Sequence, residues 1–155
     1  MPGRGQGIYR EWRVGVIVGG LSAEREVSLM TGREVVKALR GKGYQVISVE
    51  AKKDLPLRLC RNRVEVVFNA LHGKMGEDGC VQGLLEVMGL PYTGSGVTAS
   101  ALSMDKVSAK DLFVRKGIPT PPYQVLQKGH GPAEVRLSLP LVVKPRSEGS
   151  TLGVP

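Results

Sequence analysis

The run Arg13-Val14-Gly15-Val16-Ile17-Val18, followed at once by Gly19-Gly20, constrains the fold more than any other stretch. It reads as a buried strand, and a strand that empties into a glycine turn and then a helix opens a doubly wound α/β unit. The helix is expected from about Glu24 to Arg40, with Val27, Met30, Val35, Ala38 and Leu39 along one face. Gly41 and Gly43 stop it, and Tyr44 to Val49 reads as a second strand. Val64 to Asn69 reads as a third. Val81, Leu84, Leu85 and Met88 then fall at i, i+3, i+4, i+7, the stripe of a second helix that Gly89 and Pro91 end. Asp105 can cap a further helix over Lys106 to Lys116, terminated by Gly117 and Pro119. Lys52 to Arg63 is charged and carries no readable pattern.

Thr120-Pro121-Pro122 is a stiff linker and marks the expected domain boundary. The expected organisation is a flexible tail over 1–12, an α/β domain over 13–118 and a further unit over 119–155. In the last part, Tyr123 to Leu126 and Leu139 to Pro145 read as strands, the latter delivering Lys144 to its end. The fold class is therefore α/β, a small doubly wound parallel-sheet domain followed by the start of another domain.

Composition narrows the function. The net charge is +8, but the basic residues are scattered, with a local excess only at Lys52, Lys53, Arg58, Arg61 and Arg63. Aromatic residues make up 5%, which leaves little to stack bases on, and no recognition motif accompanies the charge; a nucleic-acid partner is not expected. No segment approaches the ~20 apolar residues that span a bilayer. No secretory h-region precedes Arg13, and Cys60 and Cys80 show no metal-ligand spacing. The expectation is a cytoplasmic protein with free thiols and no membrane partner.

Three constellations carry chemistry. In Gly19-Gly20-Leu21-Ser22-Ala23-Glu24, the glycines let a backbone approach a ligand ahead of a helix N-terminus. Glu24 has two readings: a group that binds a cation such as a substrate ammonium, or an ordinary first-turn acid stabilised by the helix dipole. The second constellation is His72-Gly73-Lys74-Met75-Gly76-Glu77-Asp78-Gly79, a compact polar string at the mouth of the third strand, where α/β proteins place their sites. His72 reads as a site residue or as a structural imidazole at a strand end, and Asp78 as a helix cap. His130 reads as a loop residue. The third constellation is Lys106 with Lys144 and the loop Glu148-Gly149-Ser150-Thr151. Fixed positive charge beside N–H and hydroxyl donors suits a phosphate chain, although each lysine alone reads as solvated. The lysine precedes the loop, so this is not a Walker pattern.

Taken together these blocks resemble the D-alanine–D-alanine ligases of the ATP-grasp superfamily. The resemblance runs from about Arg13 to Val154. It includes Ser22-Ala23-Glu24-Arg25-Glu26-Val27-Ser28, Asn69-Ala70-Leu71-His72-Gly73, Gly76-Glu77-Asp78-Gly79 with Gln82-Gly83, Gly89-Leu90-Pro91-Tyr92-Thr93-Gly94, Met104-Asp105-Lys106 and Val142-Val143-Lys144-Pro145. It implies a pre-ATP-grasp domain followed by the beginning of an ATP-grasp domain. It also implies a reaction for peptidoglycan synthesis: ATP phosphorylates one D-alanine carboxylate, and a second D-alanine amine displaces phosphate from the acyl phosphate. Glu24 would hold the first D-alanine ammonium, with Ser28, His72 and Gly73 in the same substrate-binding set. Ser150 would order the active-site loop and Glu24. Lys106 and Lys144, with Glu148, Gly149, Ser150 and Thr151, would bind ATP. A homodimer through the first domain is also implied.

Complete ligases of this family continue further, and the resemblance puts their Mg2+ ligands in that continuation, with no metal ligand in this chain. The expectation is a truncated ligase that does not turn over alone. The alternatives are a D-lactate or D-serine ligase fragment and a non-catalytic small-ligand-binding or interaction fragment.

Overall fold

The computed structural model describes residues 11–129 and 131–149. The first ten residues, His130, Ser150 and Thr151 lie outside this description, as does most of the tail expected over 1–12. The chain divides into two compact units, Met1–Ala101 and Leu102–Pro155.

The first unit is built on a 3-stranded parallel sheet in the order β2-β1-β3, with β1 Arg13–Val18, β2 Gln45–Glu50 and β3 Val66–Asn69. Helices α1 (Arg25–Gly41), α2 (Leu55–Arg61) and α3 (Cys80–Val87) complete it, and α4 (Val97–Met104) begins in it. The central strand explains its own composition. Side chains alternate across a strand. Val14, Val16 and Val18 therefore join Leu29, Val35, Val36 and Leu39 of α1 on one face. Ile17 joins Leu55 and Leu59 of α2 and Val81 and Leu85 of α3 on the other. The doubly wound parallel arrangement follows directly from a strand that must be apolar on both sides.

Helix α1 differs from the sequence expectation in which face it buries. Val27 is 51% and Met30 62% exposed, and Ala38 is exposed too. The inward positions are Ser28, Leu29, Gly32, Val35, Val36 and Leu39. The cause is close approach at the start of the helix. A Cβ on Gly32 would sit 2.1 Å from Val18 Cγ1, so only glycine lets α1 lie against β1 there. That approach turns the small residues inward and Val27 and Met30 outward.

Helix α2 occupies the segment that carried no readable pattern. Asp54 precedes it, Pro56 stands in its first turn, and Leu55 and Leu59, one turn apart, are its buried residues. Pro is at home where the N–H has no helical partner. The stripe of α3 is as expected: Val81 and Leu85 are buried, with Leu84 and Met88 packed against the same cluster.

The second unit holds α5 (Lys106–Arg115) and a single 3-10 turn at Pro132–Glu134. Neither Tyr123 to Leu126 nor Leu139 to Pro145 is a strand; no strand occurs among the described residues of this unit. A strand is a backbone ladder. Here the neighbouring segments are joined by a side chain instead: Gln124 Nε2 donates to the Glu134 carbonyl at 2.5 Å and Arg136 N–H donates to Gln124 Oε1 at 2.8 Å. Helix α5 groups with this unit through similar links. Lys110 Nζ donates to the Pro121 carbonyl at 2.7 Å, and the Tyr123 hydroxyl bonds the Asp111 carboxylate.

Candidate functional site

Parallel strands β1 and β3 end side by side, so the turn after each emerges at the same sheet edge. Ser28 ties the two ends together. Its hydroxyl donates to the Ala70 carbonyl at 2.7 Å and accepts from Gly19 N–H at 2.8 Å, and the residue is fully buried. Its polar capacity is spent on backbone groups that would otherwise be orphaned.

Above this link, the Ser22 hydroxyl donates to the His72 carbonyl at 2.7 Å and accepts the Glu24 N–H at 3.2 Å. The turn that carries Glu24 is thereby fastened to the loop that carries His72 and Gly73. Gly73 is buried and has φ +70. A Cβ there would lie 2.6 Å from Glu24 Oε2 and 3.2 Å from Ser22 Cβ. Glycine suits this position for its backbone angle, and a Cβ would also displace the Glu24 carboxylate. Glu24 Oε2 is buried with no hydrogen-bond partner. Leaving a carboxylate oxygen in that state is costly, and an arriving N–H donor or ammonium would relieve it.

The loop itself is braced from several sides. Glu77 Oε2 accepts Gly73 N–H at 2.6 Å, and Glu77 Oε1 lies 4.0 Å from His72 Nδ1. Thr31 Oγ1 on α1 is 3.2 Å from His72 Nε2. Asn69 Nδ2 and Gln82 Nε2 both donate to the Gly76 carbonyl at 2.8 Å. Asn69 and Gln82 were missed as site-forming residues. The available signal was a carboxamide at the end of an apolar strand, and another on the inward side of an apolar helix. The N-cap of α3 is Gly79, with φ 94, and not Asp78. Asp78 stands one residue earlier and accepts from Met75 N–H at 2.8 Å and Cys80 N–H at 3.1 Å. Burial alone would raise its carboxyl, but these N–H donors hold it below the usual aspartate range.

Among the residues expected to bind a nucleotide, the second unit brings Lys106 and Glu148 together. Lys106 Nζ donates to the Glu148 carbonyl at 2.6 Å, and Lys106 N–H donates to the Arg146 carbonyl at 3.0 Å. Arg146 Nε in turn meets Asp105 Oδ2 at 2.7 Å. Asp105 caps α5 as expected, accepting from Val107 and Ser108 N–H at 3.0 Å each. The Ser108 N–H outweighs desolvation and, with the Arg146 guanidinium, holds the Asp105 carboxyl below the usual aspartate range. Lys144 is exposed, with no hydrogen bond or ion pair among the described residues, and Gly149 follows Glu148 in the same loop. Among the described residues no group of three His, Cys, Asp or Glu could hold a metal ion, and no helix is long and apolar enough to cross a membrane.

The chain is similar in sequence and fold to known proteins. The family model for the D-ala D-ala ligase N-terminus covers residues 56–95. The D-alanine–D-alanine ligase of Geobacter sulfurreducens is 52% identical over 144 residues, which are 92% of this chain and 46% of that protein. The chain belongs to the D-alanine–D-alanine ligase family. The ligase of Desulforudis audaxviator is 49% identical over 146 residues, 92% of this chain and 48% of its own length. The crystal structure of the Bacillus anthracis ligase superposes with a TM-score of 0.80 at 40% identity, covering 93% of this chain and 48% of that one. A second structure of that ligase, complexed with ATP, gives a TM-score of 0.74 at 36% identity. The chain thus spans about half the length of the curated relatives it matches.

Proposed function

We propose that this chain supplies the first amino-acid site and the opening nucleotide-side elements of an ATP-dependent D-alanine–D-alanine ligase. The observation that carries the reading is the partnerless buried oxygen of Glu24, set against Gly73 at the edge where β1 and β3 end. A substrate ammonium satisfies that oxygen with charge and hydrogen bonds together. The His72 and Gly73 backbone, fastened by Ser22 and Glu77, shapes the same end of the site. Ser28 holds the two strand ends in register beneath it and does not face the substrate.

On the nucleotide side, Lys106 and Lys144 offer fixed positive charge, and the loop at Glu148 and Gly149, continuing to Ser150 and Thr151, offers N–H and hydroxyl donors. In the reaction, the terminal phosphoryl of ATP passes to a D-alanine carboxylate oxygen and ADP leaves. The amine of the second D-alanine attacks the acyl carbon, and phosphate departs with the C–O bond, forming the dipeptide. The charge that develops on the transferring phosphoryl group is what lysines there would stabilise. Magnesium bound with ATP supplies further charge on the phosphate oxygens; no residue of this chain is assigned to it. The family resemblance further suggests a homodimer through the first unit, and exposed Val27 and Met30 on α1 offer an apolar surface for it.

Calorimetric titration tests the proposal. D-alanine is expected to bind the chain, and Glu24→Gln to weaken it by about 10- to 100-fold, the range of a lost charge-assisted bond. Equal binding by both proteins, or none by the parent, removes Glu24 from the role. Sedimentation showing only monomer at high concentration would remove the homodimer.

A further inference from the structure

His72 is hydrogen-bonded at one ring nitrogen and faces a carboxylate with the other. Nε2 faces Thr31 Oγ1 at 3.2 Å, and Nδ1 faces the Glu77 carboxylate at 4.0 Å. Its carbonyl is fixed separately by the Ser22 hydroxyl at 2.7 Å. Glu77 is already committed to the loop through Gly73 N–H at 2.6 Å, so its carboxylate stands at a defined place beside the ring. Thr31 is equally well placed. It sits on α1 one residue before Gly32, where the helix lies close against β1. The ring is thus spanned between an anchored helix and an anchored loop.

We propose that Thr31 is a positioning residue that fixes the orientation and the tautomer of the His72 imidazole. The Glu77 carboxylate favours the proton on Nδ1, which leaves Nε2 to accept the Thr31 hydroxyl proton. The Thr31 hydrogen bond at one nitrogen and the Glu77 carboxylate beyond the other set the direction of the ring dipole. Thr31 touches neither substrate nor the reacting atoms; it acts through His72. The consequence for substrate rests on the ligase reading above, whereas the tautomer does not.

The test separates the two. The chain has 2 histidines, His72 and His130, so His130→Gln leaves one imidazole to observe. Long-range proton–nitrogen NMR on that protein should show one dominant tautomer with the proton on Nδ1. In Thr31→Val, which keeps the shape and removes the hydroxyl, the two nitrogen signals should move toward averaged positions, and Thr31→Ser should restore them. Retained dispersion of backbone amide signals shows that each variant folds. Where D-alanine binds the parent, its affinity should fall about fivefold in Thr31→Val, the worth of one neutral hydrogen bond, and recover in Thr31→Ser. An unchanged tautomer in Thr31→Val, or a parent ring already averaged, overturns the proposal. Failure of D-alanine to bind the parent would count against the ligase reading alone, and the NMR comparison would still decide the role of Thr31.

Discussion

The two units of this chain are held together by different physics. The first has a core on each face of its sheet, with Val16, Ile17, Leu59, Val67 and Leu85 reaching 0% exposure. The second buries no side chain fully among its described residues, and Leu139 (83%), Val142 (67%) and Val143 (55%) stand in the open. What orders the second unit is polar: the Asp105 cap, the Asp105–Arg146 pair and the Gln124 and Lys106 links to backbone carbonyls. Burial of a large apolar side chain stabilises by about 1.5–3 kcal/mol, whereas an exposed ion pair adds about 0–1 kcal/mol. The proposed amino-acid site therefore rests on the unit with a packed core, and the residues proposed for the nucleotide on the unit without one.

The largest test of this contrast is a pair of truncations. Leu85→Ala should cost about 2–5 kcal/mol in denaturant unfolding, while Leu139→Ala should stay within about 0.5 kcal/mol. Comparable losses would mean that the second unit has a core of its own. Next comes Ser28→Ala, which strands Gly19 N–H and the Ala70 carbonyl; about 1–3 kcal/mol should be lost, with amide exchange rising first at those two strand ends. A neutral result would show that the polar stitch adds nothing to apolar packing. Hydrogen exchange should then rank the units directly, with amides of β1 protected far longer than those of α5. Equal protection breaks the comparison.

The smallest expected effect is on acidification. Asp78 in the first unit and Asp105 in the second both have folded carboxyls held below their ordinary values. Each contributes fully above the ordinary aspartate range, and that contribution is lost as pH falls through the depressed folded value. Amide exchange near pH 3 should therefore loosen the start of α5, which has no buried side chain to hold it, before the 75–80 segment, whose Gly76 carbonyl is also held by Asn69 and Gln82. Simultaneous loosening would show that the packed background does not protect the loop.

What was legible in the residues alone was whatever depends on near neighbours. The apolar run of β1 and its glycine turn, the spacing of Val81, Leu84, Leu85 and Met88, and the Asp105 cap are local patterns, and each lies where expected. Helix α2 was legible in principle, from Asp54, Pro56 and the Leu55–Leu59 pair, but its charged residues masked it. The tertiary structure decided the rest. Which face of α1 turns inward depends on Gly32 meeting Val18, and the partnerless oxygen of Glu24 depends on Gly73 arriving from a different strand. The span from Thr31 across His72 to Glu77 likewise joins a helix to a distant loop. Periodicity and capping act over a single turn of chain, whereas these contacts exist only once parallel strands have set their ends side by side.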